Sequence, residues 1–450
     1  MVEKPLKPAP RAVDEFGIAT SRSDITHLYN RAGFGIHPND VGPLTSLSWP
    51  ALVDRILDTS SAPPASAGVP AIDRNADPRS GGWERYVAIT QFWMERCRTA
   101  PAPIVEKMVL FWHGHLCTGV SKVFHHYDLL QQNQLFRTQG LGSFEVLVQK
   151  TSVQAAMLRY LDNDRNVAGR PNENFARELM ELFTLGVGNY SEADVIAAAK
   201  AWTGHGLNKS RRYEFDSAAH DWSQKTFFGS TRNWDGPQII DHIINGPKKA
   251  VVARFIATKL WTFFAYPNPE SSVIDSIATA FVNGGMMMRP VLRAIFLHPQ
   301  FRSAKAKSGL VRSPIEWAVA AMRMSGVDSA TAHPEWQLGD MGQAPFNPPN
   351  VAGWKSNDYW LTSSAVWAKG RFASTIRWEM FHRGDLENIR NQAPAQAART
   401  ALAHFGIENP TTNTVNTLTR YVESERRSNN WADRAGLLWL PMLTPEFQLA

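Results

Sequence analysis

The chain has 450 residues, 44% of them hydrophobic and 20% charged, which is a globular and not a disordered composition. A formal charge of +6 is mild for this length, and its Lys and Arg are scattered, so no nucleic-acid partner is expected. Two cysteines, Cys97 and Cys117, exclude a disulfide scaffold and a four-thiolate zinc site. No run reaches the roughly 18–20 apolar residues that cross a bilayer.

In chain order, residues 1–22 are rich in Pro and charge and read as a flexible arm. They show neither an apolar signal core nor a twin arginine, so a cytoplasmic location is expected from the sequence as written. A helix starts at 23–30 and is stopped by Gly33, Gly35 and Pro38; another covers 50–59. Residues 60–82, dense in Pro, Ala, Ser and Gly, resemble a linker. From Trp83 apolar residues recur at spacings of three and four, predicting helices over 83–99, 103–112, 124–139, 143–160 and 172–185. A helix over 192–202 follows, with Ser191 as its cap. Residues 204–236 are polar and dotted with Gly, with β-friendly patches at 213–215 and 226–228, and predict a small hairpin. Helices resume at 237–245, 248–265, 271–283, 289–297 and 314–325. The Asn347-Pro-Pro-Asn350 run forces a rigid loop over 346–354, and the remainder from Thr362 is helical. The expected architecture is all-α: one large multi-helix domain over 23–450, with at most a β-hairpin excursion.

Four features can carry chemistry. In the 172–185 helix, Asn174, Arg177, Glu178 and Glu181 fall at i, i+3, i+4 and i+7, which puts them on one face. Two carboxylates, an amide and a guanidinium there can run acid–base chemistry or bind a divalent metal; equally, they can be a solvated face with an Arg177–Glu181 pair. His113, His115, His125 and His126 form a second cluster. Imidazole is a common metal ligand, but residues i and i+2 on a helix point about 200° apart. His113 and His115 can therefore share a metal where Gly114 ends the helix or the segment is extended; otherwise they are a packed and an exposed His at a helix end. Asp162 and Asn163 can supply oxygen ligands or simply turn the chain. His220-Asp221, followed by Lys225, can orient an anion, and loop polarity explains it as well. Phosphate-binding loops, dinucleotide fingerprints, H-E-x-x-H and G-x-S-x-G are absent.

Several segments together resemble a known family. They are His27-Leu-Tyr-Asn-Arg31-Ala-Gly-Phe-Gly35, Phe111-Trp-His-Gly-His115, Tyr160-Leu-Asp-Asn163 and Pro171-Asn-Glu-Asn-Phe-Ala-Arg-Glu-Leu-Met-Glu-Leu182. Phe215-Asp216, His220-Asp221 with Lys225-Thr226, Pro348-Pro-Asn-Val-Ala-Gly-Trp354 and Pro445-Glu-Phe-Gln448 complete the set. In this order they resemble the bacterial family catalogued as domain of unknown function 1800, from about residue 25 to 450. The resemblance implies a large helical fold and no established reaction. It implies an alkaline-phosphatase/sulfatase-like neighbour as a possible partner, and an envelope location for many members. The family often has His where this chain has Phe183, and Asn or Asp where it has Gly114.

The resemblance also favours Asn174, Arg177, Glu178 and Glu181 lining a buried polar site. The resulting expectation is an enzyme hydrolysing or transferring a group on a phosphorylated, sulfated or glycan substrate. Glu178 or Glu181 would be base or ligand, and Arg177 would hold an anion. His113, His115 and Asp162 would be metal ligands, and His220 an accessory catalytic group. The alternative is a non-catalytic partner or scaffold for the phosphatase-like neighbour.

Overall fold

In the computed structural model, which describes residues 20–428 and 432–449, helices start where the sequence supplies caps. Capping boxes open Arg22–Arg31 (Ser21, Asp24), Glu192–Ala201 (Ser191, Asp194), Gly236–Ile244 (Asp235, Gln238) and Pro314–Ser325 (Ser313, Glu316). In each, the cap side chain accepts from the third helical N–H, and that third residue's side chain accepts from the cap N–H. Proline stands in the first turn of Pro103–His115 and Pro314–Ser325, where its missing N–H costs nothing. Of the arm expected over 1–22, residues 1–19 lie outside the described residues.

The Pro103–His115 helix is buried on nearly all sides, as an all-round apolar helix must be. It packs on His126–Gln139 and Gly82–Thr99. Gly82–Thr99 in turn meets Pro314–Ser325, which meets Ser363–Arg383. Lys249–Phe264 pairs with Ser271–Asn283, and Pro394–His404 with Thr412–Arg427. One connected apolar core joins these helices, with Trp93, Trp112, Trp202, Trp234, Trp261 and Trp317 fully buried. Each such ring removes roughly 150–250 Å² from water. The fold is a predominantly helical single body, as composition and periodicity predict. Among the described residues no helix is long and apolar enough to cross a membrane.

Four differences from expectation have local causes. The 204–236 excursion holds two hairpins and not one: His205–Leu207 pairs antiparallel with Tyr213–Phe215, and Lys225–Phe227 with Ser230–Arg232. The second turns through Phe228 and Gly229, both at positive φ, the conformation a two-residue primed turn requires. The Phe228 N–H donates to Asp194 Oδ1 at 2.9 Å, which holds a bulky residue in a backbone region it disfavours. The helix expected over 124–139 starts only at His126 because Phe124 is left-handed (φ 60°). The one expected over 143–160 is two, Phe144–Ser152 and Ala155–Tyr160. The linker-like segment is tied down: Arg96 donates to the carbonyls of Pro63, Pro64 and Ala67.

Candidate functional site

The Asn174 face is not a buried site. Arg177 keeps 36% of its side chain exposed. It pairs with Glu173 at 3.0 Å and Glu192 at 2.6 Å, and not with Glu181 as a helical spacing of four suggests. Glu181 accepts from the Tyr190 hydroxyl at 2.5 Å. Glu178 is half-buried, and desolvation followed by repulsion from Glu181 raises its pKa. Asn174 Nδ2 donates to the Leu161 carbonyl at 3.3 Å. It ends a run of asparagines (Asn163, Asn166, Asn172) that brace the loop through one another and through backbone. The expectation of an Arg177 buried among carboxylates is thereby corrected. With partners in high dielectric, Arg177→Ala should change stability by less than about 1 kcal/mol, measured as a shift of the urea midpoint. A loss above roughly 3 kcal/mol, the cost of breaking a buried pair, would restore the buried reading.

The same helix departs from α geometry. Asn174–Glu178 is α-helical, and Leu179–Thr184 is a π turn in which the Leu185 N–H reaches the Met180 carbonyl at 2.9 Å. Such turns store irregularity that often serves a site. Here the π turn places the Phe183 carbonyl against His115 Nε2 at 3.0 Å. A carbonyl only accepts, so Nε2 carries the proton and Nδ1 is left as an acceptor. Burial, then the nearby Lys259, pushes the His115 pKa down to about 4, so the ring is neutral.

His113 and His115 part company because the helix runs through Gly114 to His115. His113 sits among Trp93, Phe346 and Trp354 and accepts the Phe346 N–H at 3.0 Å. Asp162, left-handed at φ 58°, pairs with Lys122 at 2.6 Å. Among the described residues no three His, Cys, Asp or Glu side chains gather as a metal-ligand set. His113, His115 and Asp162 are therefore not brought together. His220 lies elsewhere, bonded through Nδ1 to the Thr203 carbonyl at 2.7 Å and edge-on to Trp222. Lys225, expected to orient an anion, spends its ammonium on the carbonyls of Asp221, Ser223 and Trp234.

What the structure does assemble is a cavity of about 410 Å³, within the roughly 300–1,000 Å³ range of small-molecule sites. Its walls come from segments hundreds of residues apart. Arg31 comes from the opening motif, Phe111, Gly114 and His115 from the next, Leu182 from the π turn, and Val351 and Trp354 from the rigid loop. Gly353 lets that loop close on the helix: a Cβ there would stand 2.3 Å from the Gly114 carbonyl oxygen. Lys259, Ala352 and Ser356 line the cavity and are wholly or partly exposed, so they mark its rim.

Buried cations gather behind one end of the cavity, where Arg31 and Glu316 stand on the wall. Arg31 is 2% exposed and Lys107 1% exposed. Lys107 Nζ donates to the Gly33 carbonyl at 2.9 Å and to Glu316. Glu316 also accepts the Ser313 N–H at 2.9 Å. Desolvation, outweighed by Lys107 and the Ser313 donors, leaves the Glu316 carboxyl below its usual pKa. Arg312 is buried beside them, donating to the Phe447 carbonyl at 3.1 Å. Lys369, near Arg312, donates to Gln448 Oε1 at 2.6 Å. Arg31, Lys107 and Arg312 thus share one carboxylate, with Lys369 beside Arg312. Burial first, then repulsion from Arg312, pushes Lys369 down to about 8; burial likewise lowers Arg31, Lys107 and Arg312. Guanidinium groups keep their protons regardless, so positive charge accumulates. Arg31 Nη2 donates to the Ala306 carbonyl at 2.5 Å, while its buried Nε has no hydrogen-bond partner.

Arg31 falls within a motif legible in the sequence, whereas Lys107, Glu316, Arg312 and Lys369 carry only a weak signal there. Lys107 interrupts an apolar helical run, where Lys is almost never buried without a partner, and Ser313–Glu316 is a capping box. A family model described as "Protein of unknown function (DUF1800)" matches residues 27–449. No curated protein and no solved structure matches the chain.

Proposed function

From the premise that the chain belongs to the DUF1800 family, whose description names no reaction, we propose that it binds an ester of a tetrahedral oxyanion, phosphate or sulfate, in this cavity. The observation that carries the proposal is the excess of buried cations at one end: Arg31 and Glu316 stand on the wall, and Lys107 and Arg312 are buried behind them around the same carboxylate. An oxyanion there offsets charge that the one carboxylate leaves uncompensated. His115 lines the same cavity with its Nδ1 free to accept, but it stands about 12 Å of helix rise from Lys107, too far to take a proton from a water at an oxyanion held by Arg31. The anion-holding role expected of Arg177 moves to Arg31.

The test is thermal denaturation of the full chain in phosphate or sulfate against chloride at equal ionic strength. A ligand at a hundred times its Kd stabilises by about 2.7 kcal/mol, which raises Tm by a few degrees. Phosphate and sulfate raise the Tm of any fold somewhat, so the readout is the difference: the rise should be larger by those few degrees in wild type than in Arg31→Met, and equal rises in the two proteins would end the proposal.

A second reading, a docking surface for a partner protein, is favoured by exposed Tyr359, Leu361, Val366 and Trp367, which follow the cavity residues Ser356 and Asn357 in the chain. Trp367→Ala separates the two readings, because it leaves the phosphate effect intact if the cavity alone is the site.

A further inference from the structure

The geometry points to a specific class of ester: one whose oxyanion head sits at Arg31 and whose alcohol portion is an aromatic or similarly flat apolar group lying beside Gly114. The inference rests on the oxyanion reading above and adds the substrate's body. It follows from how the cavity changes along its length.

Lys107, Phe111 and His115 recur at i, i+4 and i+8, so they share one face of the Pro103–His115 helix. At about 1.5 Å rise per residue, Lys107 and Gly114 lie about 10 Å apart along its axis. Between them the surroundings are mainly apolar. Phe263 lies 5.3 Å from Phe111, and the Phe111 and His115 rings are nearly parallel, 7° apart, at 5.7 Å. Leu182, Val351 and Trp354 add to the apolar walls, with Thr258, Lys259 and Thr262 as polar neighbours from the helix of Phe263. Aromatic groups pack on such walls in offset-stacked or edge-on geometry.

Gly114 supplies the room. A Cβ built there meets nothing within 4 Å, although the residue is helical and lines the cavity. An inorganic oxyanion fills only the Arg31 end and leaves this space unused. A sugar body would turn those hydroxyls that Thr258, Lys259, Thr262 and Ser356 do not meet toward Leu182, Val351 and Phe263 without partners, and unpaired polar groups are costly to bury. A flat apolar body removes those walls from water at no such cost.

The experiment is calorimetric titration of the full chain with inorganic phosphate, phenyl phosphate, phenyl sulfate and a sugar phosphate. Phenyl phosphate is expected to bind at least tenfold more tightly than inorganic phosphate, and more tightly than the sugar phosphate. Phenyl sulfate in place of phenyl phosphate as the tighter ester identifies sulfate as the head and supports the same body. Gly114→Leu, which fills the space with a better helix former, should remove the tenfold margin. Gly114→Ala provides a smaller intrusion and should reduce it. Equal affinities for inorganic and phenyl phosphate in wild type, or tighter sugar phosphate binding, would overturn the inference while leaving the oxyanion reading intact. Heat from none of the four ligands would overturn the oxyanion reading itself.

Discussion

Replacing Glu316 by Ala should lower stability by about 3–5 kcal/mol, the cost of stranding buried charge. Lys107 is 1% exposed, and Glu316 is its only carboxylate partner among the described residues. Arg31 and Arg312 act on the same carboxylate. Its removal leaves three buried cations repelling one another and also opens the capping box of Pro314–Ser325. Glu316→Gln keeps the cap but not the charge, and should fall between wild type and Glu316→Ala. Lys107→Met combined with Glu316→Leu removes both members of the pair and should recover much of the loss, because well-packed apolar replacements often match buried ion pairs. Urea unfolding of the four proteins checks this, and a Glu316→Ala cost below about 1 kcal/mol, the range of an exposed pair, would refute it. Glu316→Gln has a second readout: with less negative charge beside Arg31, inorganic phosphate should bind more tightly to it than to wild type.

Acid should unfold the protein well before most carboxylates are protonated. Burial pushes His27 and His113 down to about 3, and His115 and His205 down to about 4. An unfolded histidine titrates near 6.5. Between those values the unfolded chain binds more protons than the folded one, so stability rises with pH there and is lost as pH falls below about 6.5. Each tenfold weakening of proton binding on folding is worth about 1.4 kcal/mol. Four such residues therefore remove an amount comparable with the roughly 5–15 kcal/mol that holds a typical domain together. Asp24 adds to the loss at still lower pH: although desolvation raises its pKa, hydrogen bonds from Arg302, Lys307 and Ser21 hold it far below the usual value. Circular dichroism followed with pH should show cooperative unfolding that begins between about pH 6 and 5, just below the unfolded histidine pKa. A helical signal unchanged down to about pH 4 would contradict the burial of these rings.

The helices are readable because caps and apolar spacing are local properties. Ser191 with Asp194 and Pro314 with Glu316 announce their helices within four residues. The π turn at Leu179–Thr184 is not readable, since its 172–185 segment has ordinary helical periodicity and the extra residue per turn is accommodated by tertiary contacts such as His115 to the Phe183 carbonyl. The candidate site is misplaced from sequence for a related reason. Asn174, Arg177, Glu178 and Glu181 stand out because they are close in sequence, and closeness on one helix says nothing about which face is buried. Arg31, Lys107, Glu316 and Lys369 are isolated in sequence and meet only through the fold. His113 and His115 can be judged by geometry alone: once the helix is known to pass through Gly114, the two rings must diverge.

That scattering sets a schedule for biosynthesis. At about 5–20 residues per second, the ribosome takes roughly a quarter of a minute to a minute to travel from Arg31 to Glu316. It needs longer still to reach Gln448, the partner of Lys369. Throughout that interval the Arg22–Arg31 helix carries a guanidinium whose counter-charge does not yet exist, so Arg31 must stay hydrated and its helix cannot take its final seat. The first described helix is therefore among the last to be locked in place. The nascent chain meanwhile leaves Ile25 and Leu28, both destined for the core, open to the chaperones that attend unfinished proteins.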